Sequence, residues 1–249
     1  MCLMEVNMLI SHEVLKDNLD GMYWDHGDLA PKQSPNLKNN ETRAISAFKR
    51  DLPSVCFNYL RCFENVKVTL VQTEMALHGV EPFGIDKDDF LKIERFGQTA
   101  SRMCELILNH EFDCSSKSLE LISQCLCAKK QDAISVEHGL KFISENFSKK
   151  RELGVVAFLY LLRQKPFDCG NEISAALFME GFLISQGFEH IVIRERAIND
   201  FKIRLCEFKK SGCASHLLRF LAMSLDCKKI RHERFSKQKS KTKKPLIFF

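Results

Sequence analysis

Eight residues set between two apolar runs carry most of the chemistry this chain offers: Lys165-Pro166-Phe167-Asp168-Cys169-Gly170-Asn171-Glu172. They place an ammonium, a carboxylate, a thiol, an amide and a second carboxylate within one short loop. The run Leu153 to Leu162 precedes them and the run Ile173 to Ile184 follows. The pattern reads as helix, tight loop, helix, with Gly170 and Asn171 opening the second helix. Asn171 is a good capping residue, and free N–H groups at a helix N-terminus make a ready anion site. Lys165 adds a point charge suited to phosphate. Asp168 offers oxygen to a hard cation such as Mg²⁺, whereas Cys169 offers soft sulfur. As a nucleophile Cys169 lacks a His nearby in sequence, so it reads as an inert loop thiol, although Lys165 and a helix N-terminus would lower its pKa. Glu172, in a first helical turn, suits the helix dipole and is placed to pair with Lys165. The plain alternative for Gly170 and Asn171 is a turn and a cap and nothing more.

The elements around the loop must be helices. The chain has 249 residues, of which 45% are hydrophobic, with only 11 Gly and 6 Pro against 20 Phe. That balance affords a sizeable core and argues against a turn-rich all-β fold. Met1 to about Trp24 reads as a short amphipathic helix, with Leu9, Ile10, Val14, Leu15 and Leu19 at helical spacing. Asp25 to Asn40 reads as a linker. Helices are expected over Thr42–Arg61, with a break or kink at Pro53, and over Val66–Leu77, stopped by His78-Gly79. Further helices are expected over Asp86–His110, Ser115–Cys127 (capping box to Glu120) and Ser135–Phe147. Glu152–Arg163, Asn171–Gln186, Arg194–Lys210 and Ala214–Leu225 complete the set, with Gly187 and Gly212 as stops. Phe188–Ile193 is the best short strand candidate. The expected organisation is an N-terminal helix and linker (1–40), helices packing on the core (41–112), the core itself (113–225) and a basic tail (226–249).

The flanks and the loop together resemble the Fic family (filamentation induced by cyclic AMP). That signature runs His-Pro-Phe-x-acid-Gly-Asn-Gly-Arg-x-x-Arg between two core helices. In the same register this chain has Lys165, Pro166, Phe167, Asp168, Cys169, Gly170, Asn171, Glu172, Ile173, Ser174, Ala175 and Ala176. Pro, Phe, Gly and Asn match. Ala176-Leu177-Phe178-Met179 and Leu183-Ile184-Ser185-Gln186-Gly187-Phe188 also fit the family's downstream pattern. Thr73-Glu74-Met75-Ala76-Leu77-His78-Gly79 resembles the autoinhibitory helix, with His78 in place of its glutamate and Gly79 matched. The resemblance covers about Val66 to Leu225. It implies an all-α, Fic-like helical bundle built on the helix–loop–helix motif. The target-positioning flap, due between Leu126 and Val136, is shortened or absent because no strand pattern stands there.

The resemblance also implies an activity: transfer of AMP, or another phosphate-containing group, from a nucleotide to a protein Ser, Thr or Tyr hydroxyl, with ATP and Mg²⁺. The residues argue against it. Lys165 stands at the position of the catalytic His, and a lysine ammonium, with its ordinary pKa near ~10.4, is a poor general base at neutral pH. Cys169 stands at the metal-binding acid, with Asp168 one position early. The two phosphate-clamping arginines are Ile173 and Ala176, and Glu172, at the second glycine, repels an anion. Phe167, Gly170, Asn171 and Glu172 remain as the phosphate-binding set. The leading expectation is therefore a degenerate Fic protein acting as a regulatory or binding module, linked to cell filamentation or division by the resemblance, with an unidentified protein partner.

The tail gives a third reading. From Asp226 to Phe249 there are seven Lys and two Arg against one Asp and one Glu, a net of +7, while the whole chain carries +5. The remaining body is thus slightly acidic, so the positive charge is no property of a folded face. Lys228, Lys229, Arg231, Arg234, Lys237, Lys239, Lys241, Lys243 and Lys244 are candidates for weak contact with nucleic acid or an anionic surface. The eleven cysteines are odd in number and sit mostly in apolar runs; they read as reduced thiols of a cytoplasmic protein. No apolar run reaches the ~20 residues that span a bilayer.

Overall fold

A computed structural model describes residues 17–24, 41–126, 129, 131, 135–146 and 150–221. The elements are a hairpin of β1 (Asp17–Leu19) and β2 (Met22–Trp24), then α1 (Glu41–Phe63), α2 (Leu70–Leu77), α3 (Lys87–Leu108), α4 (Ser116–Ser123), α5 (Glu137–Asn146), α6 (Lys150–Gln164), α7 (Asn171–Ser185) and α8 (Ile198–Ser211). One more helix occupies 215–221. Apart from the hairpin the described residues form an all-α body, the class that the composition favours.

Two helices are apolar on every side, and that decides the architecture. From Val155 to Leu162 and from Ile173 to Ile184 every residue is buried. A helix with no polar face must lie inside, so α6 and α7 form an antiparallel central pair. The amphipathic helices α1, α3 and α4 pack on α7, and α5 packs on α6. Gly154 lets the central pair approach closely: a Cβ there would lie 3.2 Å from the Phe182 ring and 3.4 Å from Leu183.

One carboxylate lies in this core. Glu180, on α7, is fully buried. The Tyr59 hydroxyl donates to its Oε1 at 2.5 Å, and the Ile191 N–H donates to both its oxygens at 3.0 Å. The arrangement joins α1, α7 and the segment after α7. Burial, and then the Glu180 charge, push the Tyr59 phenol well above its ordinary value.

Several expected boundaries move, each for a local reason. The stretch 17–24 is a hairpin where a helix is expected; Asp20 and Gly21 take φ of 49° and 77°, the doubly left-handed turn that the Asp-Gly pair favours. Residues 1–16 and the linker 25–40 lie outside the described residues. Pro53 does not break α1, which runs on through it; buried Phe48 before it and Tyr59 after it anchor both halves to the core. The helix expected from Val66 starts at Leu70, because Thr69 and Gln72 form a reciprocal capping box. The box expected around Ser115 closes on Ser118, not Glu120. Phe188–Ile193 is not a strand, since the Ile191 N–H is taken by Glu180. Gly187 and Gly212 stop their helices with φ of 72° and 79°.

Tyr59→Phe removes the buried hydrogen bonds of its hydroxyl to Glu180 and the Ile191 carbonyl and is expected to destabilise the fold by about 1–3 kcal/mol. Glu180→Ala, which leaves the buried Ile191 N–H without a partner and opens a cavity in the core, is expected to cost more than Tyr59→Phe, about 3 kcal/mol or above. Urea unfolding midpoints of both variants check the order.

Candidate functional site

The loop between α6 and α7 is shaped by its backbone. Lys165 ends α6 with a left-handed φ of 50° while its N–H still bonds the Leu161 carbonyl at 3.0 Å. Glycine usually takes this position, and a side chain there costs about 1–2 kcal/mol. Pro166 and Phe167 are then buried, and the Phe167 ring plugs into the core. Gly170, at φ 65°, is the residue that caps α7, with no side chain to contribute.

Asn171 is therefore not the cap. It is the first residue of α7, nearly buried, and its amide folds back on the loop. Its Oδ1 accepts from the Phe167 N–H at 2.9 Å and its Nδ2 donates to the Phe167 carbonyl at 2.8 Å. This two-point ring fixes the turn without any ligand.

A second rail holds the loop from outside. The Asp168 N–H donates to the Lys129 carbonyl at 3.0 Å, and the Gln131 N–H donates to the Pro166 carbonyl at 2.9 Å. The Lys129 N–H donates to Asp168 Oδ1 at 2.8 Å, and the Gln131 amide donates to the Phe167 carbonyl at 2.8 Å. No strand is formed among the described residues of 126–136, yet these two residues lie antiparallel to the loop. Residues 127–128, 130 and 132–134 lie outside the described residues.

The charged groups engage one another. Asp168 is exposed; the Lys129 N–H, and then Cys169, hold its carboxyl below the usual value. Glu172 pairs with Lys209 of α8 at 2.7 Å, not with Lys165 as expected. Burial alone would raise the Glu172 carboxyl, but the Lys209 hydrogen bond and charge outweigh it, so its pKa is lowered; Lys165 adds a smaller pull. Lys165 and Cys169 are exposed. Beside Lys165 opens a cleft of about 430 Å³ lined by Asp20, Leu162, Arg163, Gln164, Lys165 and Lys209.

The hairpin forms one wall of that cleft. The Tyr23 N–H donates to the Gly212 carbonyl at 3.1 Å, and the Ala214 N–H donates to the Tyr23 carbonyl at 2.8 Å. The Arg163 guanidinium lies between Gly21 and Gly212: a Cβ on Gly21 would sit 2.9 Å from Arg163 Nη2, and one on Gly212 only 2.2 Å from the Gly21 carbonyl oxygen. The Tyr160 hydroxyl donates to Asp20 Oδ2 at 3.1 Å, and burial, then the Asp20 charge, push that phenol up.

Sequence reasoning brings together Lys165, Phe167, Asp168, Cys169, Gly170, Asn171 and Glu172, and the structure places the first five on the loop and the last two in the first turn of α7. It misses Asp20, Lys129, Gln131, Arg163 and Lys209. Only Asp20 had a local signal, the Asp-Gly turn. His78 and Gly79 end α2, which packs on α1 and α3; among the described residues no hydrogen bond or ion pair ties either of them to the loop. The basic residues from Lys228 to Lys244 lie outside the described residues.

Asp168 accepts from Lys129 and Cys169, Glu172 is held by Lys209, and among the described residues no three His, Cys, Asp or Glu groups converge to hold a metal ion. Among the same residues no helix is long and apolar enough to cross a membrane.

No family model matches this chain, and no curated protein does. Solved structures do. A segment of Fic-1 from C. elegans superposes with a TM-score of 0.65 at 16% identity, covering 78% of this chain and 67% of that one. A single-residue variant of the same segment gives 0.66 at 16% identity, covering 95% and 74%. The fold is Fic-like. The helix–loop–helix of α6, 165–170 and α7 carries the stretch whose sequence resembles the Fic signature.

Removing the Lys209 charge leaves burial unopposed at Glu172. Lys209→Met is therefore expected to move the Glu172 titration from below to at or above the usual ~4.3, read by carboxyl NMR. With lowered folded values, Asp168 and Glu172 stabilise the loop above about pH 4.3 and lose that contribution as pH falls through their folded pKa values. Asn171→Ala is expected to cost about 1–3 kcal/mol, since it strands the Phe167 N–H, and to speed amide exchange at Phe167. Gly212→Ala, strained in φ and clashing with Gly21, is expected to cost about 2 kcal/mol and to free the hairpin amides.

Proposed function

We propose that this chain is a Fic protein with little or no nucleotidyl transfer, retained in the cytoplasm as a regulatory or protein-binding module. The observation that carries the reading is the Glu172–Lys209 ion pair at the start of α7. A Fic-type loop would place nucleotide phosphates at this helix N-terminus; here the chain's own carboxylate sits in the first turn, held by its own lysine. The other positions agree. Lys165 is exposed, without the burial that turns a lysine into a base. Asp168 is directed to Lys129, and Ile173 and Ala176 are buried apolar residues with no charge to clamp phosphate. Loss of a general base alone typically removes about 10²–10⁴-fold in rate, and several losses within one catalytic unit leave little to measure, although they do not multiply. What remains is a rigid loop whose shape no longer depends on nucleotide.

Calorimetry with ATP and Mg²⁺, beside a transfer assay with labelled ATP on cell extract, tests the reading. The expected outcome is no binding in the micromolar range and no labelled protein that depends on the loop. Micromolar binding that Asn171→Asp abolishes would mean that the loop still cradles phosphate, and AMP transfer lost on changing Lys165 would assign the chain to the active transferases instead.

A further inference from the structure

The outer face of α2 lies open although its side chains are apolar. Leu70, Val71 and Met75 are 44, 65 and 38% exposed. Val71 and Met75 are four apart with Leu70 adjacent, so the three share one side of the helix. Thr73 and Ala76, on the other side, are buried. Beyond Gly79 the chain folds back onto the open side. The Val80 N–H bonds the Met75 carbonyl at 3.0 Å, which sets Val80, 50% exposed, next to Met75. The Gln72 amide donates to the Phe83 carbonyl at 3.3 Å, which ties the segment carrying Phe83 to the same helix. The Phe83 ring is fully exposed. Scattered exposed apolar residues are ordinary, but a contiguous group marks a contact surface. The other large exposed hydrophobics among the described residues, Leu108 and Ile203, lie on α3 and α8. The surroundings are acidic: from Leu70 to Phe90 there are five Asp and Glu against one lysine, so an occupant carrying positive charge is favoured.

The chain itself carries such a segment. After Leu221, the last described residue, 28 residues follow. Lys237 to Lys244 holds five lysines and no acid, and Pro245-Leu246-Ile247-Phe248-Phe249 comes directly after. Twenty-eight residues reach up to ~90 Å, several times the ~18 Å radius of gyration of a body this size. We propose that the segment Lys237–Phe249 docks on the outer face of α2, with Leu246, Ile247, Phe248 and Phe249 against Leu70, Val71, Met75, Val80 and Phe83. The lysines then face Glu74, Glu81, Asp86 and Asp88. Basic residues followed by apolar ones meet an apolar face bordered by acids, in one chain and within reach. This inference is independent of the loop and stands whether or not the loop binds nucleotide.

The test uses the full chain with the photo-cross-linker benzoylphenylalanine in place of Phe83, where the exposed ring carries none of the fold. The expected product is a cross-link within one chain, mapped by mass spectrometry to Lys237–Phe249. A cross-link between the α2 faces of two copies, a cross-link to the helical body, or no product at all overturns the proposal. Hydrogen exchange gives the second reading. Leu246→Ser combined with Phe248→Ser and Phe249→Ser is expected to speed the α2 amides by about tenfold or more, the factor that about 1.4 kcal/mol of lost docking corresponds to. Exchange unchanged by the triple substitution overturns it as well.

Discussion

The carboxylate of Glu180 constrains this molecule more than any other group. A carboxyl group buried away from water is costly unless its oxygens find hydrogen-bond partners. Here the donors come from Tyr59 on α1 and from the backbone at Ile191, so α1, α7 and the strandless segment after α7 can settle in only one relation. Apolar contacts supply most of the driving force for burial, but they are non-directional. The buried carboxylate supplies the direction. The central pair α6–α7 is held at the right angle to its neighbours, and the loop joining the pair inherits that placement.

At the loop, shape and chemistry come apart. Its turn is set by the Asn171 amide, the buried Phe167 ring, two left-handed residues and the Lys129–Gln131 rail. None of these needs a catalytic residue. The positions facing outward, Lys165, Asp168, Cys169 and Glu172, can change in type while the backbone stays where it is. This separation explains how a Fic-like frame persists at 16% identity to its structural neighbours: the buried residues that define the frame are under packing constraint, and the exposed ones are not.

The sequence made some of this legible. Runs apolar on all sides gave α6 and α7, and Gly79, Gly187 and Gly212 gave stops, because both signals are local. The helix expected from Asp86 was placed within one residue of its observed start, where the Asp86 side chain caps α3. The hairpin at 17–24 was missed because the Asp20-Gly21 turn was outweighed by leucines at helical spacing. The Lys209 partner of Glu172 was missed for a different reason: 37 residues separate them, and no local pattern reports a long-range ion pair. Asn171 was expected to cap α7 or to bind phosphate; Gly170 is the cap, and the Asn171 amide folds back on Phe167, a use that the same residue type serves without a separate local signal.

The stacking of Arg163 between Gly21 and Gly212 has a consequence for how this protein can diverge. Three positions from distant parts of the chain share one small volume, two of them filled by backbone alone. A side chain at either glycine is tolerated only if Arg163 shortens or the hairpin lifts, and a shorter residue at 163 leaves a gap that the glycines cannot fill. Across descendants of this sequence the three positions should therefore change as a set or not at all. Such a correlated trio would trace the hairpin's attachment even where sequence similarity elsewhere has faded.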